Sequence, residues 1–108
     1  MIIITGHVLT NAENRAAIEA ECVAHSKRSR TEPGCLAHHV HADCEQPDRL
    51  VFVEKWQDRA SLLAHFAVPE SSAFVQVISR LSTERPVMDI YEATGIGPAD
   101  LGDQASSS

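Results

Sequence analysis

The fold of this chain is decided by TEPGCLAHHVHADCEQPDRLVFVEKWQDRASLLAHFAVPESSAF, residues 31–74. After a turn-forming Pro-Gly pair, side chains alternate along two runs, 35–43 and 49–56, which a polar loop separates. Alternation of this kind on both sides of a short polar loop predicts a β-hairpin. Asp58 has the side chain of a helix N-cap, so a short helix should follow it, and Pro69 should begin another.

The flanking sequence completes a β-α-β-β-α-β order. Residues 2–9 are rich in β-branched side chains and predict a first strand, and residues 87–92 predict a fourth. Residues 12–28 predict a helix, because Thr10 and Glu13 have the spacing of a capping box. On this helix we expect a stripe of small residues to face the sheet: Ala16, Ala20, Val23 and Ala24.

This order is typical of an α+β ferredoxin-like fold, a split β-α-β arrangement with one four-stranded antiparallel sheet and its helices on one face. The strands carry apolar side chains on both faces, and a chain of 108 residues cannot cover both with its own helices. We therefore expect a homodimer through the open sheet face, with a barrel-like centre. The domain should span residues 1–93, followed by a flexible C-terminal tail at 94–108.

Charge and composition exclude several classes of function. Nine Lys and Arg against fifteen Asp and Glu give a net charge of −6 without a basic run, so we expect no nucleic-acid partner. The apolar start at residues 1–4 is far too short for a membrane span or a signal peptide. Three cysteines without a Cys-x-x-Cys pair predict free thiols and a reducing cytoplasm.

Six histidines in 108 residues raise the hypothesis of a metal site. His38, His39 and His41 lie close to Cys44 in the sequence, but strand alternation directs His38 away from the other two and Cys44 falls in a loop. A zinc site needs three or four converging ligands. We therefore interpret these histidines as structural or solvated and expect no metal.

His65 and Trp56 are the stronger candidates for chemistry. Trp56 ends the third strand and His65 lies on the next helix, one residue before Phe66, so both should approach the space between sheet and helices. His7 on the first strand adds a third polar group, and its convergence with the other two would favour a ligand site. The alternatives are core packing for Trp56 and a structural hydrogen bond for His65. The chain has no nucleophile elbow and no Walker or dinucleotide glycine pattern.

At three places the chain resembles the antibiotic biosynthesis monooxygenase family: the turn EPGC at 32–35, the strand end EKW at 54–56 and the helix pair His65-Phe66. The resemblance covers about residues 1–92 and implies a small dimeric α+β barrel. Cofactor-free members oxidise quinols or polycyclic phenols with molecular oxygen, without metal or flavin. The resemblance thus implies an oxidoreductase, a monooxygenase for a small aromatic substrate that needs no cofactor.

By this resemblance His65 would be the catalytic base or donor, Trp56 would line the pocket, and His7 would take the place of a polar first-strand residue. Haem-degrading relatives carry an asparagine near position 7, a tryptophan near 65 and an axial histidine near 75 or 76, and none is matched here. The alternative function is a non-catalytic dimeric binding module for a small apolar metabolite. Under either function we expect four further residues to contact the bound molecule: Leu62, Phe66, Phe74 and His39.

Overall fold

The structure, a computed structural model that describes residues 1–102, has the predicted order of elements. Four strands and three helices are followed by a single 3-10 turn, and in chain order they are β1 (Ile2–Leu9), α1 (Arg15–Ser29), β2 (Cys35–Ala42), β3 (Arg49–Trp56), α2 (Arg59–Ala67), α3 (Pro69–Leu81), β4 (Val87–Glu92) and the 3-10 turn (Pro98–Leu101). The second part of the predicted tail, residues 103–108, lies outside the described residues. The flexibility of residues 94–108 stays a prediction.

The sheet has the strand order β2-β3-β1-β4, and every neighbouring pair is antiparallel. Strands β1 and β2 are therefore parallel with β3 between them, which is the split arrangement of the ferredoxin-like fold. Helix α1 packs on β2 and α2 on β3, while α3 contacts both other helices. The predicted α+β class is confirmed, and the sheet of a single chain is open rather than closed into a barrel.

The core lies between the sheet and the helices in two clusters, because alternate residues of β1 and β3 point to that side. One cluster joins β1, α1, β3 and α3 through Val8, Ile18, Cys22, Leu50, Phe52 and Ile78. The other joins β1, β3 and α2 through Ile2, Ile4, Trp56 and Leu62. Each of the large side chains contributes roughly 1.5–3 kcal/mol on burial, so the two clusters hold the helices against one face of the sheet.

The start of α1 differs from the prediction. Instead of forming a capping box, Thr10 donates its hydroxyl to the backbone oxygen of Asp48, 2.8 Å away. The entry to the helix is held by Asn11, whose Oδ1 accepts hydrogen bonds from the backbone N–H groups of Glu13 and Asn14. The predicted capping box is therefore wrong, because Asn11 already accepts from the N–H of Glu13 and the backbone oxygen of Asp48 accepts from the N–H of Thr10.

The buried face of α1 also differs from the prediction. All four residues of the expected small-residue stripe are exposed, so that prediction is wrong. The residues that face the core instead follow the helical spacing i, i+4, i+7, i+8 and i+11. Three of the five are polar, and this is why a search for apolar stripes missed the face: Ile18, Cys22, His25, Ser26 and Ser29.

Strand β2 contains an irregularity that changes which side chains point inward. Its register against β3 shifts between Cys35 and Ala37, which leaves Leu36 as an additional residue. Such a bulge lets residues at odd spacing share a face. Cys35 consequently packs against the core together with the buried His38, and Leu36 is exposed. Strict alternation along residues 35–43 would instead put Cys35 on the side of His39, so the bulge corrects the simple alternation that the sequence suggests.

Candidate active site

A cavity of about 610 Å³ lies between the helix side of the sheet and the α2–α3 pair. This volume is typical of sites for small molecules. Its walls include the aromatic rings of Phe52, Phe66 and Phe74, and its polar wall includes His65 and Glu54. A largely apolar cavity with a few polar groups can hold a small aromatic molecule and orient its hydroxyl groups.

His65 is the best-defined polar group of this cavity. The side chain is buried, and its Nδ1 lies 2.8 Å from Oε1 of Glu32. An ionised carboxylate can only accept a hydrogen bond, so the neutral imidazole carries its proton on Nδ1 and Nε2 is the nitrogen with a free lone pair. The ring also lies against the indole of Trp56, with centroids 4.5 Å apart. This arrangement supplies an oriented base at the wall of the cavity.

The turn at Gly34 brings Glu32 to His65. Gly34 has φ +81°, a conformation that favours glycine, and its carbonyl accepts a hydrogen bond from the backbone N–H of Gln57 at 2.8 Å. A Cβ at this position would lie 2.0 Å from Oγ of Ser61 on α2. The turn thus passes very close to α2, and this close approach lets a carboxylate of one segment orient an imidazole of the other.

Trp56 stands behind His65 rather than on the cavity wall. It is fully buried, and its Nε1–H donates to Oε1 of Glu54 at 3.0 Å. The same carboxylate oxygen lies 3.3 Å from Nε2 of His38. That contact is not aligned as a hydrogen bond, since His38 Nε2 has no hydrogen-bond partner among the described residues. The other ring nitrogen of His38, Nδ1, lies 2.8 Å from the hydroxyl oxygen of Ser26.

A third buried histidine, His25 of α1, completes this polar region. Its ring is stacked on Phe74 with a centroid distance of 3.9 Å and an angle of 1° between the planes. The ring centroids of His25, His38 and His65 lie between 5.1 and 5.7 Å from one another. Three imidazoles from α1, β2 and α2 therefore meet beside the cavity.

The environment sets the charge of two of these groups. Burial, together with the neighbouring His38 ring and the charge of Arg28, lowers the pKa of His25 to about 3, so its ring is neutral at physiological pH. Burial acts to raise the pKa of Glu54, but the neighbouring His38 ring and the indole N–H of Trp56 outweigh it. The pKa of Glu54 therefore ends below its ordinary value, and the carboxylate is ionised.

The structure brings some of the predicted site residues together. Trp56 and His65 are in contact, and the rings of Phe66 and Phe74 line the cavity beside His65. Leu62 packs in the core with Trp56 and lies outside the lining of the cavity. The catalytic roles of Trp56 and His65 and the substrate-binding roles of Leu62, Phe66 and Phe74 stay predictions.

Two other predicted residues lie apart. His7 borders the cavity from β1, but its ring points to the open face, where Nδ1 lies 3.4 Å from the guanidinium of Arg49 on β3. His7 and His41 are both aligned with Val51 of β3, and side chains so aligned share a face. His39 is exposed on that same face, beside His41. The structure therefore does not join His7 or His39 to His65.

The structure also supplies site residues that the sequence interpretation missed. Glu32 had been assigned only to a turn, and no local pattern links it to His65, which is 33 residues away. His25 had been left without a role. Its position at i+7 from Ile18 on the buried face is the one pattern that could have found it. Long-range pairing explains the first omission, and a polar core-facing stripe explains the second.

The comparison with known families assigns the chain. Residues 1–77 match the model of the antibiotic biosynthesis monooxygenase family. Because this match covers more than half of its length, the chain belongs to that family. None of the helices within residues 1–102 combines the length and the apolar character needed to cross a membrane.

Solved structures agree with this assignment. A crystal structure of an antibiotic biosynthesis monooxygenase candidate from Deinococcus radiodurans is 27% identical to this chain, with a TM-score of 0.84. The alignment covers 89% of this chain and 95% of that one. Rv0793 from Mycobacterium tuberculosis is 18% identical with a TM-score of 0.81, over 88% of this chain and 96% of that one, and shows the fold alone.

An uncharacterised protein of Synechocystis sp. is 26% identical over 91 residues, which are 84% of this chain. The chain spans 62% of the length of that relative.

Proposed function

We propose that this protein is a cofactor-independent monooxygenase that oxidises a quinol or a polycyclic phenol with molecular oxygen. The observation that carries the proposal is the pairing of the buried His65 with Glu32 at the wall of an apolar cavity of about 610 Å³. The family assignment adds support, since the residues of this pair lie within the matched range 1–77.

In the proposed reaction, Nε2 of His65 takes the proton of a substrate hydroxyl. The Glu32 carboxylate at Nδ1 stabilises the imidazolium that forms, as carboxylate partners of catalytic histidines do. The resulting phenolate is electron-rich and transfers electrons to molecular oxygen. One oxygen atom enters the product and the other leaves as water, and the substrate supplies all four electrons. No metal or flavin takes part.

The cavity walls favour such a substrate. Phe66 and Phe74 offer ring faces against which a flat aromatic molecule can stack. The Phe74 ring stacks with His25 on one side, and we propose that a flat substrate adopts the same parallel arrangement on the cavity side. A polycyclic ring would displace water from the cavity and leave its hydroxyl group as the only part that requires a polar partner.

The alternative function is a non-catalytic module that binds a small apolar metabolite. The apolar lining of the cavity supports it, because such a surface retains ligands whether or not a reaction follows. Under this alternative, His65 would only donate or accept a hydrogen bond to the bound molecule.

The proposal includes a homodimer formed through the open sheet face. Support comes from apolar side chains that a single chain leaves exposed: Leu36 at the bulge of β2, and Val87 and Tyr91 of β4, which are aligned with His7 and Ile3 on the open face. Sedimentation at micromolar concentration should give the mass of two chains, and a monomeric mass would contradict the dimer. We also assign the protein to a reducing cytoplasm, which suits its three free cysteines.

Oxygen uptake tests the enzymatic function. Protein stripped of metal and flavin is mixed with a panel of naphthoquinols and anthrones, and labelled oxygen is used to follow the atoms. The expected result is saturable uptake with one labelled atom in the product. If the panel binds tightly but no oxygen is consumed with any member, the binding module is the better account.

A further inference from the structure

The three buried histidines beside the cavity have a geometry that the proposed oxidation does not use. One ring nitrogen from each of His25, His38 and His65 lies within 4.8 Å of one from each of the other two. The three residues come from α1, β2 and α2, and all are buried. His25 and His65 also line the cavity, so an ion could reach the cluster from solvent through it.

We propose that His25, His38 and His65 bind one divalent transition-metal ion of the zinc class, with a fourth position open to the cavity. Imidazole nitrogens suit this class of ion, and three histidines with an open position form a known type of zinc coordination. Buried polar nitrogens are normally hydrogen-bonded. The unpartnered Nε2 of His38 is an exception that a bound ion would explain.

The hydrogen bonds around the cluster match those that usually support metal-binding histidines. A metal-bound imidazole typically engages its second nitrogen with a carboxylate, a carbonyl or another polar group. Here Nδ1 of His65 lies 2.8 Å from the Glu32 carboxylate. Nδ1 of His38 lies 2.8 Å from the hydroxyl of Ser26. In both residues Nε2 is left as the nitrogen that can bind the ion.

Only a small contraction is needed to reach bonding distances. Three nitrogens at 2.0–2.1 Å from a tetrahedral zinc ion are about 3.4 Å from one another. The observed limit of 4.8 Å requires each ring to move inward by less than about 1 Å. His25 can make such a movement within its own plane, because its flat stacking on Phe74 does not block sliding.

Charge near the cluster favours a cation. The Glu54 carboxylate is 3.3 Å from Nε2 of His38, so it can bind the ion directly or accept a hydrogen bond from water on it. Glu32 adds a second negative charge behind His65. Two carboxylates therefore offset the double charge of a divalent ion.

Arg28 should weaken binding of the ion, so its replacement tests the proposed site. Its guanidinium donates a hydrogen bond to Nδ1 of His25, and this places the proton of the neutral ring on Nε2. The ring must break that bond before a nitrogen becomes available to a metal. Arg28 also adds positive charge close to the ion. Its replacement by glutamine should therefore strengthen metal binding.

This site goes beyond the proposed oxidation, because the ion would occupy Nε2 of His65, which is the nitrogen assigned as the base. Metal binding and metal-free catalysis through that atom exclude each other. Binding of the ion can be measured without a substrate, so a failure of this inference and a failure of the proposed function are distinguishable.

Calorimetric titration of chelator-treated protein with Zn²⁺, and with Co²⁺ as a spectroscopic probe, tests the site. We expect one ion per chain and a Co²⁺ spectrum of low coordination number. His25→Gln and His38→Gln should each weaken binding at least 100-fold, since loss of supporting partners alone weakens it by about 10–100-fold. His41→Gln, a matched change on the open face, should leave the dissociation constant unchanged.

The Arg28→Gln variant controls for misfolding, because a damaged fold would lower the affinity for the ion whereas the proposal predicts a higher affinity. We expect its dissociation constant to fall by about tenfold, which corresponds to removal of one charge-assisted hydrogen bond. An unchanged affinity in both His25→Gln and His38→Gln would overturn the proposal. So would loss of Zn²⁺ binding in His41→Gln, since that would place the ion on the surface.

Discussion

The six histidines divide evenly between the two sides of the sheet, and their surroundings differ. On the helix side the rings are buried and paired with carboxylates, hydroxyls or aromatic rings, whereas on the open side they are partly or fully exposed. The register of the strands places His38 on the helix side and His7, His39 and His41 on the open side, and His25 and His65 join His38 from helices α1 and α2.

This difference shows that the number of histidines in a stretch of sequence does not predict where a reactive site lies. His38 and His39 are neighbours in sequence, yet one is fully buried beside Glu54 and the other is exposed. Burial makes each polar contact stronger and each missing contact more costly. The candidate chemistry therefore belongs to the buried set.

The largest expected effect comes from exchanging histidine for glutamine on each face. His65→Gln should lower kcat of the proposed oxidation by about 10²–10⁴, because it removes the general base. His41→Gln should leave kcat unchanged, because its ring is exposed on the open face. Oxygen uptake at saturating substrate measures both. Similar activity in the two variants would mean that the burial of His65 has no catalytic consequence.

A second pair of substitutions concerns stability. Trp56→Ala should reduce the free energy of unfolding by about 3–5 kcal/mol, since it removes a fully buried aromatic side chain and the hydrogen bond to Glu54. Leu63→Ala, at an exposed position of α2, should change it by less than about 0.5 kcal/mol. Urea unfolding followed by circular dichroism gives both values. Equal losses would contradict the burial of Trp56.

The turn that brings Glu32 to the buried set gives a third test. Gly34→Ala should destabilise the protein by about 1–3 kcal/mol, because φ +81° is strained for alanine and the added methyl would overlap Ser61. Gly95→Ala is the control, as its Cβ would have only an ordinary contact with Met1. Thermal unfolding should separate the two variants. Equal melting temperatures would show that the turn tolerates a side chain.

The smallest expected effect concerns thiol reactivity, which should follow the same division between buried and exposed groups. Burial, with the charges of Glu21 and Glu19, raises the pKa of the Cys22 thiol to about 12, so it stays protonated. Cys44 is exposed. A disulfide reagent at pH 8 should modify Cys44 within minutes and Cys22 only on unfolding. Rapid modification of Cys22 in the folded protein would contradict the packing of α1.

Much of the fold could be predicted from the sequence, because alternation and N-capping are local patterns. The strands predicted at 2–9, 49–56 and 87–92 coincide with β1, β3 and β4. Asp58 caps α2 as expected by accepting from the backbone N–H of Ser61. Each of these features depends on neighbours that are few residues apart, and such patterns remain visible in the sequence.

The site was only partly predictable. His65 and Trp56 could be singled out because one follows the other at the junction of β3 and α2. Glu32 could not, since its partner lies 33 residues along the chain. The inward direction of His25 was missed because its stripe on α1 is mostly polar. Long-range contacts and polar packing are what the local patterns fail to encode.

The protonation of His65 tests the central claim most directly, because both the oxidation and the metal site require an unprotonated Nε2. Nitrogen NMR of uniformly labelled, metal-free protein distinguishes protonated from unprotonated ring nitrogens, and His65→Gln assigns the signals. The account predicts that the neutral ring carries its proton on Nδ1, shared with Glu32, and none on Nε2. A proton on Nε2 and none on Nδ1 would contradict it.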